Sequence, residues 1–220
     1  MSDDEARRRP RPLRAHPWFA RFYERIAVKA EDAWEASIRD ELCADLTGAV
    51  LEVGAGNGLN FAHYRRAGVV VACEPEPNML RLAQPRADAA PVPVRLVRGS
   101  AEEVPFPDET FDAVVCSLML CSVRDPAAAV AEIRRVLRPG GVIRLYEHVR
   151  SPNRRLARIQ DLIERPWGWF GGGCHPNRDT VGELERGGFV VDVRPVRVPI
   201  PGSAVLPHVL GEGRIGAVAR

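Results

Sequence analysis

Leu51-Glu52-Val53-Gly54-Ala55-Gly56-Asn57-Gly58 joins a short apolar run to three glycines at alternate positions. Ala49 to Val53 reads as a buried strand, and Gly54 to Gly58 as the turn that follows it. Glycine allows a sharp turn and a close approach to a ligand, because no Cβ intervenes. The first strand-to-helix turn of a doubly wound sheet is where nucleotide-like cofactors dock. Two other glycine loops do not fit. A dinucleotide-binding GxGxxG turn would place its third glycine where Leu59 stands, and Asn57-Gly58-Leu59-Asn60 lacks the lysine of a P-loop. A nicotinamide-dependent oxidoreductase is therefore a poor reading.

The same strand-helix rhythm continues downstream. Phe61 to Arg66 reads as helix, Val69 to Cys73 as a second strand, Asn78 to Ala83 as helix, and Val94 to Val97 as a third strand. Phe111 to Ser117 makes a fourth strand, and Pro126 opens a helix through Leu137. Pro139-Gly140-Gly141 breaks it before a fifth strand, Val142 to His148. Leu156 to Glu164 and Asp179 to Arg186 read as helices, with the aromatic and glycine-rich Trp167 to Gly173 as a loop between them. Phe189 to Val196 and Arg214 to Ala219 supply two last strands. The expected fold is an α/β, doubly wound, mostly parallel seven-stranded sheet covered on both faces. Upstream, Phe19, Phe22, Ile26, Ala30, Ala33 and Trp34 recur at helical spacing between Trp18 and Leu46, and Gly48 closes that region. This divides the chain into a disordered basic tail (1–15), then one domain (16–220) with a helical cap (16–46) and acceptor-side helices and loop (149–187).

With 220 residues and 45% hydrophobic composition, the chain suits one globular domain with a sizeable core. A net charge of +2, with acids and bases intermixed, gives no reason to expect nucleic acid. Arg7, Arg8, Arg9, Arg11 and Arg14 alternate with Pro10 and Pro12 as a solvated tail, with peripheral contact to an anionic lipid surface as the alternative. Five cysteines without a CxxC pair suggest neither a disulfide framework nor a zinc site, so reduced thiols, a cytoplasmic location and no metal are expected. No apolar run follows the arginines as in a signal peptide, and none reaches the about 18–20 residues of a membrane span.

Glu74 ends the second strand about 20 residues after the glycines, where a carboxylate can accept both hydroxyls of a ribose. Arg98 to Asp108 follows the third strand, Phe111-Asp112-Ala113-Val114-Val115-Cys116 comes next, and Arg138-Pro139-Gly140-Gly141 precedes the fifth. From Leu46 to His148 this combination closely resembles the class I methyltransferases that use S-adenosylmethionine (SAM). The resemblance implies SAM as cofactor and S-adenosylhomocysteine as product. It implies a cofactor site of Glu52, Gly54, Ala55, Gly56, Gly58, Asn60, Glu74 and Pro75. Ser100 and Ala101 would edge the adenine beside Glu102, Met79 would pack on its face, and Cys116, Ser117 and Leu118 would form the floor near the methyl. Ser100 stands where the family often carries an acid.

Val114 to Val123, Tyr146-Glu147-His148-Val149, Gly173 to Thr180 and Pro207 to Gly211 resemble, in order, the thiol S-methyltransferases of animals and their bacterial relatives. Unlike the animal members, this sequence lacks an apolar N-terminal anchor. The resemblance implies a small hydrophobic acceptor, a thiol first, with phosphatidylethanolamine or quinone-type acceptors as the alternative. A SAM-binding protein without turnover is the non-enzymatic reading, and a monomer or homodimer is expected. Candidate bases are His148 at the end of the fifth strand and, less well placed, His175, His16 and Tyr23. Trp18, Phe22, Cys121, Trp167, Trp169 and His175 are candidate acceptor-binding residues, the tryptophans of 167–170 as a flexible lid with Phe170. Cys174 reads as a small buried thiol.

Overall fold

Residues 17–170, 173–199 and 203–216 are described by the computed structural model, so the basic tail lies outside them. Two helices, α1 (Pro17–Ala30) and α2 (Ala36–Cys43), run on through a π turn at Glu31–Glu35. Then come β1 (Gly48–Val53), a 3₁₀ turn (Leu59–His63), β2 (Ala67–Cys73), α3 (Pro77–Asp88) and β3 (Val94–Val97). β4 (Phe111–Ser117), α4 (Pro126–Val136), β5 (Leu137–His148) and α5 (Arg154–Phe170) follow, and α6 (Thr180–Arg186), β6 (Phe189–Val196) and β7 (His208–Ile215) complete the order.

The seven strands lie in the order β3-β2-β1-β4-β5-β7-β6. β1 to β5 are parallel, whereas β7 runs antiparallel to both of its neighbours, so the sheet is mixed. Order reverses between β1 and β4, the point at which a crevice opens beyond the carboxyl ends of the strands. β1 and β4 are buried on both faces because their residues alternate between two cores. Leu51, Val53, Val114 and Cys116 pack with Ile133 and Val136 of α4, while Val50 and Val115 pack with Leu42, Phe61 and Tyr64. Burying each such side chain is worth roughly 1.5–3 kcal/mol.

Helix starts are set by side-chain caps. Glu76 accepts from the Met79 N–H and Asp125 from the Ala128 N–H, each followed directly by proline. Asp179 caps α6 at the Gly182 N–H.

Four elements differ from the sequence reading. Trp167 to Phe170 continues α5 rather than forming a loop, since the amphipathic run carries the helix through Pro166 and Gly168. Pro139-Gly140-Gly141 lies within β5, where Gly140 at φ 79° accommodates a shift in pairing with β4. β7 begins at His208, six residues before the expected Arg214, and residues past 216 lie outside those described. Phe61 to Arg66 yields only the short 3₁₀ turn.

Candidate functional site

The glycine turn is stitched to the end of β2. The Gly54 and Ala55 N–H groups both donate to the Cys73 carbonyl, at 2.8 and 3.2 Å, and Gly58 N–H closes the turn onto Ala55 at 3.0 Å. Gly54 (φ 67°) and Gly56 (φ 56°) adopt left-handed backbone. A Cβ on Gly54 would stand 2.7 Å from that of Met119, whereas one on Gly56 would meet nothing within 4 Å. The Gly56 face is therefore open, as a cradle for a ligand requires.

Glu74 follows β2 and points back at this turn. Its Oε2 accepts from Gly56 N–H and its Oε1 from Glu76 N–H, both at 2.9 Å. Burial raises its pKa, and the two N–H groups oppose that rise by stabilising the charged form. Gly54, Ala55, Gly56, Glu52, Leu59, Asn60, Ser117 and Leu118 line a small cavity at the ends of β1 and β4, together with Asn57 and Arg39, whereas Gly58 faces the Phe61 ring. Glu52 is buried, accepting from Asn60 Nδ2 at 2.9 Å and from Tyr64 OH at 2.7 Å. Burial, the largest influence, lifts its carboxyl from 4.5 to about 7. Arg39 donates to Asn60 Oδ1 at 2.5 Å and to Glu35 and Glu31 at 2.6 Å, tying the cap to the cavity. Asn57 Nδ2 donates to Glu24 of α1 at 2.6 Å, which also pairs with Arg86 at 2.7 Å.

The other expected cofactor residues stand around this cavity rather than in it. Pro75 is half-buried beside Glu74, and Met79 is buried on α3. Ser100 and Ala101 follow β3, where Ser100 bridges to Glu103. Glu102 is engaged by the Arg124 N–H at 2.9 Å. Cys116 departs from expectation: it is sealed in the core and does not line the cavity, while its neighbours Ser117 and Leu118 do. Leu118 is a non-glycine residue at φ 53°, and this turn presents the Met119 and Leu120 N–H groups to Glu147 Oε1 at 2.8 and 2.9 Å. Glu147 is fully buried, and burial raises its carboxyl from 4.5 to about 8.

Beyond Leu118, three segments distant in sequence converge. Cys121 after β4, His148 at the end of β5 and Cys174 after α5 hold their ligating atoms all within 4.8 Å of one another. His148 Nε2 lies 3.1 Å from Cys174 Sγ, and the Trp167 indole N–H donates to the same sulfur at 3.3 Å. Ser122 Oγ is 3.4 Å from Cys121 Sγ. Hydrogen bonding from Cys174 and the charge of His148 hold the Cys121 thiol well below its ordinary range against burial, and the Cys174 thiol is raised. His208 packs edge-on to His148, with ring centroids 5.5 Å apart.

His175, expected near the acceptor, pairs with Glu164 at 2.6 Å and donates its backbone N–H to the Cys121 carbonyl at 2.9 Å. Trp18 and Phe22 lie on α1 and Trp169 and Phe170 on α5, but their side chains fall outside those described; His16 lies outside the described residues altogether. Sequence reasoning missed Arg39, Asn57, Tyr64 and Glu147. Asn57 and Glu147 carried a signal, Asn57 as a member of the quoted glycine turn and Glu147 as the residue before His148 in a quoted motif.

A glycine turn after β1, an acid after β2 and a sheet with an antiparallel β7 between β5 and β6 make up the class I methyltransferase fold. Residues 51–145 match the family described as methyltransferase domain. Over 198 residues the chain is 31% identical to a thiol S-methyltransferase of Rattus norvegicus, covering 88% of this chain and 81% of that protein. It is 35% identical over 169 residues to a thiol S-methyltransferase of Homo sapiens, 74% and 69% of the two chains. Among solved structures, a SAM-dependent methyltransferase of Thermotoga maritima superposes with a TM-score of 0.63 at 23% identity, over 91% of this chain and 93% of that one. The chain belongs to the SAM-dependent methyltransferases of the methyltransferase-domain family. No helix among the described residues is long and apolar enough to cross a membrane.

Proposed function

We propose that this enzyme methylates the sulfur of a small hydrophobic thiol. The observation that carries the reading is the Cys121, His148 and Cys174 cluster beside the turn at Leu118, backed by thiol S-methyltransferase relatives. Bound SAM supplies a methyl group on a positive sulfonium, a leaving group that needs no acid.

The protein's work is then to hold, align and keep dry. Glu74 has lone pairs left after accepting two backbone N–H groups, and these suit the ribose hydroxyls. The open backbone at Gly56 admits the cofactor closely, with Glu52 and Asn60 behind it and Ser117 and Leu118 below. Met79, Ser100 and Ala101 frame the adenine side, with Pro75 and Glu102 at its margins. A thiol becomes a good nucleophile only as thiolate, so its proton must be taken up. That task falls to the cluster around His148 Nε2, while Trp167 covers it from α5.

The test is methyl transfer from labelled SAM to matched acceptors: alkyl and aryl thiols, their alcohol and amine analogues, and dispersed phosphatidylethanolamine. Thiols alone should be methylated. Transfer to the lipid or amines would overturn the thiol assignment, and tight SAM binding without transfer would overturn turnover. In the His148→Gln variant, kcat toward a thiol should fall ~100-fold or more with SAM affinity retained.

A further inference from the structure

The close approach of two thiols and an imidazole has a second chemical meaning. Cys121, His148 and Cys174 come from three separate segments, and their donor atoms converge within 4.8 Å in a shielded site. Two cysteine sulfurs and one histidine nitrogen are a preferred donor set for Zn²⁺, with the fourth tetrahedral position left to a water or substrate. We propose that these residues form a Cys₂His site for a soft divalent cation, zinc, and that its fourth position takes the sulfur of the acceptor. The second clause rests on the thiol reading above; the first does not.

Charge balance favours the cation. Two thiolates buried together are costly, whereas two thiolates, a neutral imidazole and Zn²⁺ sum to zero. The surroundings supply outer contacts of the kind that orient ligands. The Trp167 indole N–H donates to Cys174 Sγ at 3.3 Å, Ser122 Oγ stands 3.4 Å from Cys121 Sγ, and the His208 ring braces that of His148. All five cysteines are free thiols, so both sulfurs are available. The sequence expectation of no metal rested on the lack of a CxxC pair, and the fold assembles its donors without one.

The step balances. Metal binding releases the protons of Cys121 and Cys174 to solvent, and binding of an acceptor thiol releases a third. The metal-held sulfur then forms its bond to the methyl carbon. The bond between that carbon and the sulfonium sulfur breaks, and its electron pair stays on the departing sulfur. The product thioether is a weak, neutral ligand and leaves. His148 serves in this state as a ligand, and the cation stabilises the thiolate in place of a proton acceptor.

The experiment uses the full chain purified under reducing conditions without chelator. Zinc is measured per chain after loading, its affinity by competition with a chromophoric chelator, and cobalt alone serves as a spectroscopic probe. One zinc per chain is expected, with tetrahedral cobalt bands and thiolate-to-cobalt charge transfer. Cys174→Ser and Cys121→Ser should each weaken zinc ~100-fold or more while still binding SAM, which certifies their fold. Glu74→Ala should lose SAM and keep zinc. A small thiol should shift the cobalt bands, and its alcohol analogue should not.

No more zinc in wild type than in the Cys174→Ser variant, or a Cys121–Cys174 disulfide in the reduced protein, would overturn the site. Zinc bound without thiol methylation would sink the thiol reading and the acceptor clause that rests on it, leaving the metal site standing. Thiol methylation unchanged after removal of all metal would sink the metal's role alone.

Discussion

Gly54 and Gly56 share a turn and a backbone conformation but face different neighbours. Ala at either site carries the left-handed strain of roughly 1–2 kcal/mol. Only at Gly54 does the new methyl also collide with Met119. Gly54→Ala should therefore lower both thermal stability and SAM affinity, whereas Gly56→Ala should lose affinity out of proportion to Tm. Calorimetric titration beside thermal melts separates the two; equal ratios of the losses would refute the open cradle. At Glu74, removing the carboxylate should weaken SAM ~100-fold, about the worth of two charge-assisted hydrogen bonds. Unchanged affinity in Glu74→Ala would end the ribose assignment. Glu52 makes a pH prediction. Burial lifts its carboxyl from 4.5 to about 7, so the folded state holds a proton that the unfolded chain releases earlier. This contribution, about 3 kcal/mol, is full below the unfolded value and is lost as pH rises through about 7. Glu52→Gln should flatten the fall of Tm across that window; parallel curves for the two proteins would contradict it.

Loops rather than helices set the distance between cavity and cluster, and Arg178 clamps the principal one. Its Nη1 donates to the carbonyls of Leu120 and Val123, both at 2.7 Å, and so fixes the segment that carries Cys121. Arg178→Met should lower kcat roughly tenfold through misplacement of that segment, with SAM affinity intact. Gln160 is the corresponding brace of α5: it accepts from Ser151 N–H and donates to the Val149 and Pro176 carbonyls while fully buried. Gln160→Ala leaves three backbone groups without this partner, two of them buried, and should cost about 2–4 kcal/mol in denaturant unfolding.

These elements also mark where the sequence was readable. Val50 to Val53 and Val114 to Cys116 are buried on both sides, so their apolar runs announce parallel strands. Glu74 was legible because spacing along a chain fixes its place beside the glycine turn. The β7 strand was not, since in His208-Val209-Leu210-Gly211-Glu212-Gly213 small residues interrupt the pattern where β6 approaches closely. Trp167 to Phe170 misled for the opposite reason, with glycine and proline tolerated inside an amphipathic helix. Arg39 reads as one more charge on a helix, and the meeting of Cys121, His148 and Cys174 depends on tertiary packing that no local spacing encodes.

Across the molecule, α1 is joined to the glycine turn and to α3 by polar links. α1 buries Ala20 and Ala27 but leaves Ile26 53% exposed, and Glu24 ties it to Asn57 and Arg86. Because Asn57 belongs to the glycine turn, ordering that turn with SAM should also order α1. Limited proteolysis or amide exchange should show α1 protected at saturating SAM, and equal exchange with and without SAM would sever that link. SAM at about 100 times its Kd should add about 2.7 kcal/mol to global stability.

The position of β7 bears on how the protein is made. Among the described residues β6 pairs only with β7, which follows it in the chain. Until β7 docks, β6 has no strand beside it and β5 keeps an open edge, the kind of surface that invites pairing between chains. β7 also brings His208 to the ring of His148, so the surroundings of His148 are completed only when this strand slots in. The glycine turn and Glu74, built from earlier strands, are in place well before then. On the proposed assignments, a chain in which β7 has not yet docked would capture the methyl donor and not spend it.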